Sequence, residues 1–429
     1  MEENEVVKTK KKPPFWLGIV IGIVTGALLC IGGVMATGLL YFTKKPTTVN
    51  SIYGTDNKLS DKVASKIDEI VFRINRDGYY DMSDVDLETG IYRGLVEALD
   101  DPYARYYTQE EWIEECQSDA GTFFGVGATL QKHTDTGMVE VIEVYEDSPA
   151  YKAGIKKGDF VLEADGNSCY DYELDEFVKF IRGPKGTSVH LVILHGEEEI
   201  EKDIIRDKID VISVTGKMLD DGIAYIEISS FDGNTNDQLN KVYKKLEAEG
   251  MKSIIFDLRS NGGGLVDICC DMLDTILPEG ILVSIEDQNG NKEEHKSDAN
   301  HMDYPIIILT SEFTASASEI FSGAIQDYGY GKTLGTNTFG KGIVQTIGPL
   351  SDGSALKITT QYYYTPKGRK LHGEGIAPDI EVPYEYLGDP DGEYDEMYDN
   401  QIIRAMQELG SDIEMPEKFV SDDTENEDE

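Results

Sequence analysis

The spacing of hydrophobic residues changes repeatedly along the chain, and each change marks a segment. Residues 15–42 form an apolar run rich in Ile, Val, Leu and Gly, and no charge occurs between Pro13 and Thr43. A helix over this run would be about 40 Å long, enough to cross a ~30 Å hydrocarbon core with tilt. Lys8, Lys10, Lys11 and Lys12 precede it, whereas only Lys44 and Lys45 follow closely. The positive-inside bias therefore predicts cytoplasmic residues 1–14, a transmembrane helix over 15–42, and everything after Lys45 outside the cytoplasm. A cleaved signal peptide is the alternative; the length of the run and the lack of an A-x-A site favour an uncleaved anchor. Gly18, Gly22 and Gly26 fall at the spacing of a helix-pairing face, though glycine is common in membrane helices in any case.

Residues 46–56 are polar and read as a linker. Across 57–116 the period becomes helical, with Val63, Ile67, Ile70 and Val71 in one helix and Ile91, Leu95 and Leu99 in the next. Asp101-Pro102 is expected to end the second helix, because the residue before proline is pushed out of the helical region. From 117 to 207 short β-rich runs alternate with glycine turns: FFGVGATL (123–130), VEVIEV (139–144), FVLEADG (160–166) and VHLVIL (189–194), with a short helix at 174–181. This pattern suggests a small closed or capped sheet. Successive N–H groups at Gly125, Val126 and Gly127 are suited to capture a peptide's terminal carboxylate while the strand edge pairs with its backbone; an ordinary turn is the plainer reading. From 208 to 385, buried runs at 222–229, 253–258 and 305–310 alternate with helices at 235–249, 265–277 and from Ser316. That alternation predicts a parallel sheet covered on both faces. Sites in such sheets lie at the carboxyl ends of strands, here the loops 259–264 and 311–315.

Composition narrows the chemistry. The 429 residues hold 39 Lys plus Arg against 81 Asp plus Glu, a net charge of −42, which repels phosphate backbones and argues against nucleic acid. Six His without HExxH and five Cys without CxxC give no support for zinc, and no metal or other cofactor is expected. Cys269 and Cys270 sit in an apolar helical pattern and read as packing residues. Residues 386–429 form an acidic tail; from Leu387 onward 16 acids face only Arg404 and Lys418. One short helix over 400–409 is expected there within a solvated end.

Two segments carry candidate chemistry. Ser316 follows a buried strand and opens a helix, where unpaired N–H groups and the helix dipole favour a nucleophile and the oxyanion it creates. The same position suits a structural N-cap with Glu319 completing a capping box. Lys341 stands between two glycines in FGKGIVQT (339–346), and if this segment is extended, Lys341, Ile343 and Gln345 share a face. A lysine in a dry cleft becomes a usable general base, which Gln345 can orient. Ser with such a Lys is a variant of the serine nucleophile arrangement that needs no His.

The stretches DLRSNGGGL (257–265), TASASEIFSGAIQD (314–327), TFGKGIVQT (338–346) and DGSALKITTQYYYTPKGRKLHGEGIAPD (352–379) resemble the carboxyl-terminal processing peptidases, a serine peptidase family. FFGVGATL, SPAYKAGIKKGDFVLEADG (148–166) and IRGPKGTSV (181–189) resemble the PDZ domain inserted in that family, and LDDPYARYYTQEEW (99–112) its preceding segment. The resemblance covers roughly residues 60–385. It implies Ser316 as nucleophile, Lys341 as base, Gln345 as its positioning partner, and an oxyanion hole from the N–H groups of Gly263 and Ala317. Arg182 matches a PDZ arginine that touches the catalytic domain in some relatives. Gly262 departs from the family, which usually has Pro there, and this puts rate rather than activity in doubt.

The fold class expected is an α/β core with crotonase/ClpP-like layering of its βα sheet, an inserted PDZ-like domain, a helical N-terminal segment and one transmembrane helix. The function expected is a membrane-anchored serine endopeptidase acting on exported proteins, whose PDZ domain binds substrate C-termini and gates the site. A non-catalytic PDZ adaptor on a peptidase fold is the alternative. A crotonase-like acyl transferase leaves the PDZ-like insert and the Lys341 segment unexplained. Homodimers through the N-terminal helices are an expectation taken from relatives.

Overall fold

The structure, a computed structural model, describes residues 60–79, 85–390 and 392–419. The apolar run 15–42 and the linker 46–56 lie outside the described residues, among which no helix is long and apolar enough to cross a membrane. The chain forms two compact units: one reaches to Trp112 and includes Gln345–Thr359, and the other holds Ile113–Val344 and the chain from Thr360 on.

In the first unit, α1 (Asp61–Asp77) and α2 (Leu87–Glu97) have the expected helical period. Asp86 caps α2 by accepting the Thr89 N–H at 3.0 Å. The helix stops at Glu97 with Ala98 as its C-cap, before Asp101-Pro102, and Asp100 between them takes a left-handed conformation at φ 55°. Strand β1 (Arg105–Tyr107) pairs antiparallel with residues 355–357, and the division at Trp112 falls within the next helix, α3 (Gln109–Asp119).

In the second unit the PDZ-like part runs through β2 (Thr122–Gly125), β3 (Ala128–Lys132), β4 (Val139–Val144), α4 (Pro149–Ala153), β5 (Phe160–Ala164), β6 (Asn167–Ser168), α5 (Leu174–Ile181), β7 (Ser188–His195), β8 (Glu198–Ile205) and β9 (Asp207–Asp210). The run 123–130 is thus two strands, not one: β2 pairs with β9, while β3 ends a sheet of order β3-β4-β5-β7-β8. Val139, Val141, Val161, Phe177, Leu191 and Ile193 form the centre of this part's own core.

The remaining elements are β10 (Val214–Met218), β11 (Ile223–Ile228), α6 (Thr235–Ala248), β12 (Ser253–Asp257), α7 (Val266–Ile276), β13 (Gly280–Asp287), β14 (Lys292–Ser297), β15 (Ile306–Thr310), α8 (Ala317–Tyr328), β16 (Gly331–Gly335), β17 (Ile343–Pro349), β18 (Ala355–Tyr364), β19 (Ile380–Glu381) and α9 (Asn400–Glu408). A six-stranded sheet runs β10-β11-β12-β15-β16-β19; every neighbouring pair is parallel except β10 with β11. Alternate residues of its strands face opposite ways. Ile226, Ile254, Phe256 and Ile308 join the core of α6, α7 and α8. Tyr225, Ile255, Ile307 and Leu309 instead meet Ile402, Ala405 and Met406 of α9.

That second layer corrects the reading of the tail. The helix over 400–409 exists, but it covers a sheet face that would otherwise meet water, so Ile402, Ile403, Ala405 and Met406 are buried. The surrounding acids hide this role in the sequence. Strand β13 pairs with β14 and with the end of β18 (Ile285 opposite Tyr363), an arrangement the periodicity did not predict.

Candidate active site

Three loops at the carboxyl ends of β12, β15 and β16 meet in the second unit. Asn261, fully buried, sews the first two together. Its carbonyl accepts Ala315 N–H at 3.0 Å and Ser318 Oγ at 3.0 Å, and its side-chain amide donates to Ile228 O at 2.8 Å. Thr314 Oγ1 donates to Leu258 O at 2.8 Å, and Ser311 Oγ donates to Arg259 O. The third loop joins through Phe339 N–H, which donates to Thr314 O at 3.0 Å.

Ser316 precedes α8 with φ 58° and ψ −120°, a conformation a side-chain-bearing residue rarely adopts. Such strain costs on the order of 1–3 kcal/mol and concentrates at functional sites. Gly263 lies directly against it. A Cβ there would stand 2.7 Å from Ser316 Cβ and 3.0 Å from Ala317 N, so only glycine permits this approach. Ser316, Gly263 and Ala317 therefore lie together. The Gly263 N–H, however, donates to Asn261 Oδ1 at 2.8 Å within its own loop.

Glu319 connects Ser316 to Lys341. This carboxylate is fully buried; its Oε2 accepts Ser316 N–H at 2.9 Å and Lys341 N–H at 2.8 Å, and its Oε1 accepts Gly340 N–H at 2.8 Å and Thr338 Oγ1 at 2.6 Å. It completes its half of the capping box and, beyond that, fastens the second loop to the third. Sequence reasoning noticed Glu319 only as a cap.

The strand expected to align Lys341 with Gln345 begins only at Ile343, so half-buried Lys341 sits in the loop before β17. Its flanking glycines have a packing reason of their own: a Cβ on Gly342 would lie 2.2 Å from His372 N, and one on Gly340 would lie 3.2 Å from Glu374 N. Gln345 belongs to the first unit, where its amide donates to Tyr103 O at 2.5 Å.

Arg259 anchors the base of the glycine loop. It is held by Asp257 (2.6 Å) and by the fully buried Asp399 (2.7 Å), with Gln401 Oε1 at 3.0 Å. Burial acts to lower the guanidinium pKa, but Asp257 and then Asp399 outweigh it, so the charge is retained. Asp399 had no signal in the sequence beyond one more acid in an acidic tail. Cys269 is buried with its thiol on Ala317 O at 3.2 Å, and burial beside Asp267 and Asp271 pushes the Cys270 thiol up to about 12, in keeping with packing roles. Among the described residues no cluster of His, Cys, Asp or Glu could hold a metal ion.

In the PDZ-like part, Gly125 pairs with Asp207, Val126 O accepts Ala150 N–H at 2.8 Å, and Gly127 O accepts Tyr145 N–H at 3.1 Å. The adjoining β3 is an end strand, and Val126, Phe177 and Ile181 of one apolar cluster adjoin Ala128 and Leu130. An extended peptide can add to such an edge. Exposed Arg182 caps α5 and lies over the Phe123 ring at 5.1 Å, a contact inside its own domain.

A peptidase core with a PDZ domain is the class this arrangement defines, and comparison with known proteins agrees. Residues 222–382 match peptidase family S41, and residues 140–194 match the PDZ domain. A CtpA-like serine protease of Staphylococcus epidermidis is 36% identical over 354 residues, covering 80% of this chain and 72% of that protein. One from Staphylococcus aureus is 35% identical over 368 residues, covering 84% and 72%. Among solved structures, the photosystem II D1 C-terminal processing protease is 26% identical with a TM-score of 0.45, covering 74% of this chain and 88% of that one. The chain belongs to the S41 serine peptidase family.

Proposed function

We propose that this protein is a membrane-anchored serine endopeptidase that cleaves exported proteins, with Ser316 as nucleophile and Lys341 as general base. The observation that carries the reading is the buried Glu319, whose one carboxylate oxygen accepts the N–H groups of both residues while Gly263 packs on the first. In the proposed reaction Ser316 Oγ bonds to the scissile carbonyl carbon as the Lys341 amine takes its proton. The N–H groups of Gly263 and Ala317 hold the resulting oxyanion, each worth about 3–4 kcal/mol, once Gly263 turns from Asn261. Collapse breaks the C–N bond, and Lys341 returns the proton to the leaving amine. The Lys341 amine then takes a proton from water as the water oxygen bonds to the acyl carbon; the C–Oγ bond breaks, the product leaves as a carboxylic acid, and Lys341 returns the proton to Ser316 Oγ. Gln345 is assigned the orienting of that amine on resemblance alone. The PDZ domain is assigned capture of substrate C-termini and gating of the site, with Arg182 in a regulatory role. The stacked sheet and helices are read as crotonase/ClpP-like layering.

The anchor over 15–42 directs the site outside the cytoplasm in this proposal, and protease accessibility in right-side-out membrane vesicles tests it. The catalytic reading is tested with full-length protein in detergent micelles, an unstructured peptide, and mass spectrometry of the products. Ser316→Ala and Lys341→Ala should abolish cleavage and retain peptide binding; cleavage surviving in Ser316→Ala rejects the assignment. A PDZ adaptor is the second reading, favoured by the Gly263 N–H being bonded within its loop. Peptide binding by an unmodified chain that cleaves nothing would select it.

A further inference from the structure

Among the described residues Tyr363 is the largest fully buried side chain, and it comes from β18, outside the three loops of the candidate site. A phenol removed from water needs a partner for its O–H, because leaving it unbonded costs as much as several ordinary contacts gain. The Tyr363 hydroxyl lies 2.9 Å from Ser316 O and also donates to Lys341 O. One proton thus serves two carbonyls in a three-centre bond. Ser316 O already accepts Glu319 N–H at 2.8 Å as α8 begins, so the phenol is an added tie there. Tyr363 N–H donates to Gly342 O at 3.2 Å as well, so the carbonyls of the two successive residues Lys341 and Gly342 are held by the side chain and the main chain of one residue.

We propose that Tyr363 is a positioning residue of the peptidase site, whose hydroxyl ties the carbonyls of Ser316 and Lys341 and thereby sets the separation of the backbones that carry them. Glu319 holds the N–H groups of the same two residues through one oxygen. Each backbone is therefore fixed on both its donor and its acceptor side by a group one polar atom wide. The bond to Ser316 O also opposes rotation about the strained ψ of −120°. The inference rests on Ser316 and Lys341 being the nucleophile and base.

The test is kcat and KM of the full-length Tyr363→Phe protein on an unstructured peptide, per active site titrated with a fluorophosphonate that labels Ser316. Phenylalanine keeps the ring and removes the shared oxygen. A displacement of this kind should lower kcat about 10–100-fold, with KM within about twofold and the rate of fluorophosphonate labelling falling in parallel. A purely structural role would lower the titratable fraction and leave kcat per site unchanged, which would overturn the proposal. Gly342→Ala reaches the same carbonyl from the His372 side and must reproduce the kcat loss; full kcat per site in that variant also overturns it, even if Tyr363→Phe does not fold. Ser316→Ala is run alongside. Cleavage surviving there rejects the nucleophile assignment, whereas a dead Ser316→Ala beside a fully active Tyr363→Phe rejects the clamp alone.

Discussion

Two glycine loops in this chain, Gly125-Val126-Gly127 and Asn261 to Gly264, look alike in sequence, and their glycines are required for different reasons. At Gly127 (φ +83°) an added Cβ would stand 2.4 Å from Ser148 Cβ, so this glycine lets the strand turn close onto the start of α4. At Gly263 (φ +108°) the atom that would be struck belongs to Ser316. The first glycine shapes a turn beside an edge strand; the second permits one residue to lie on another. Their supports differ as well. The PDZ-like loop rests on apolar packing, main-chain bonds and one neutral side-chain bond, from Ser148 Oγ to Gly127 O at 3.1 Å, whereas the peptidase loop rests on buried polar and charged groups: Asn261 within it, and Arg259 with Asp257 and Asp399 at its base. Apolar packing tolerates small shifts, but a buried ion pair that loses one member leaves an uncompensated charge.

This difference predicts where each loop breaks. The largest effect is expected from Asp399→Ala, which leaves Arg259 with Asp257 alone and removes the cap of α9 that accepts Gln401 N–H at 2.9 Å and Ile402 N–H at 3.1 Å: about 2–4 kcal/mol of stability lost, read by thermal or chemical denaturation. Stability equal to that of the unmodified protein would mean α9 is held by its apolar face alone. Gly263→Ala comes next, with kcat falling about 10²–10³-fold per titrated site and a far smaller change in melting temperature. In Gly127→Ala the added methyl overpacks against Ser148, and about 1–3 kcal/mol should be lost. Fluorescence anisotropy of a labelled peptide with a free carboxylate should show weakened binding; unchanged binding would remove this loop from peptide capture.

The smallest effect concerns Asp232, beside the peptidase loop, where Ser230 Oγ reaches both Asp232 Oδ1 (2.6 Å) and Gly263 O (3.3 Å). Burial raises its pKa, and the Ser230 bond only partly offsets this. A carboxyl with a raised folded pKa contributes stability that is fully present below its unfolded value, about 4, and is lost as pH rises through the folded value. Asp232→Asn should remove that part of the slope. Denaturation midpoints measured across this window in both proteins check it, and parallel profiles would rule the contribution out.

Part of the candidate site was legible because its signals are local. Ser316 at a strand–helix junction and Lys341 between two glycines stand out from their neighbours in the chain, whereas Gly263 and Ala317 entered through the family resemblance. Asn261, Asp399 and Tyr363 were not legible, since an asparagine in a loop, an acid in an acidic tail and a tyrosine in a β-rich run have ordinary local explanations. Their partners lie far away in sequence: Tyr363 is 47 residues from Ser316, and Asp399 is 140 from Arg259. Likewise the split of 123–130 into two strands follows from β2 pairing with β9, more than 80 residues on.

The sequence by itself determined the alternation of strands and helices, the β-rich insert, and the segments that carry the proposed nucleophile and base, because periodicity and turn chemistry act over a few residues. Only the tertiary structure decided which side chains hold those residues in place. It put a tail helix under the sheet, a carboxylate between two N–H groups and a phenol between two carbonyls. Those choices depend on which distant groups are buried together, where an unpartnered polar atom is costly and a local pattern carries no information about its partner.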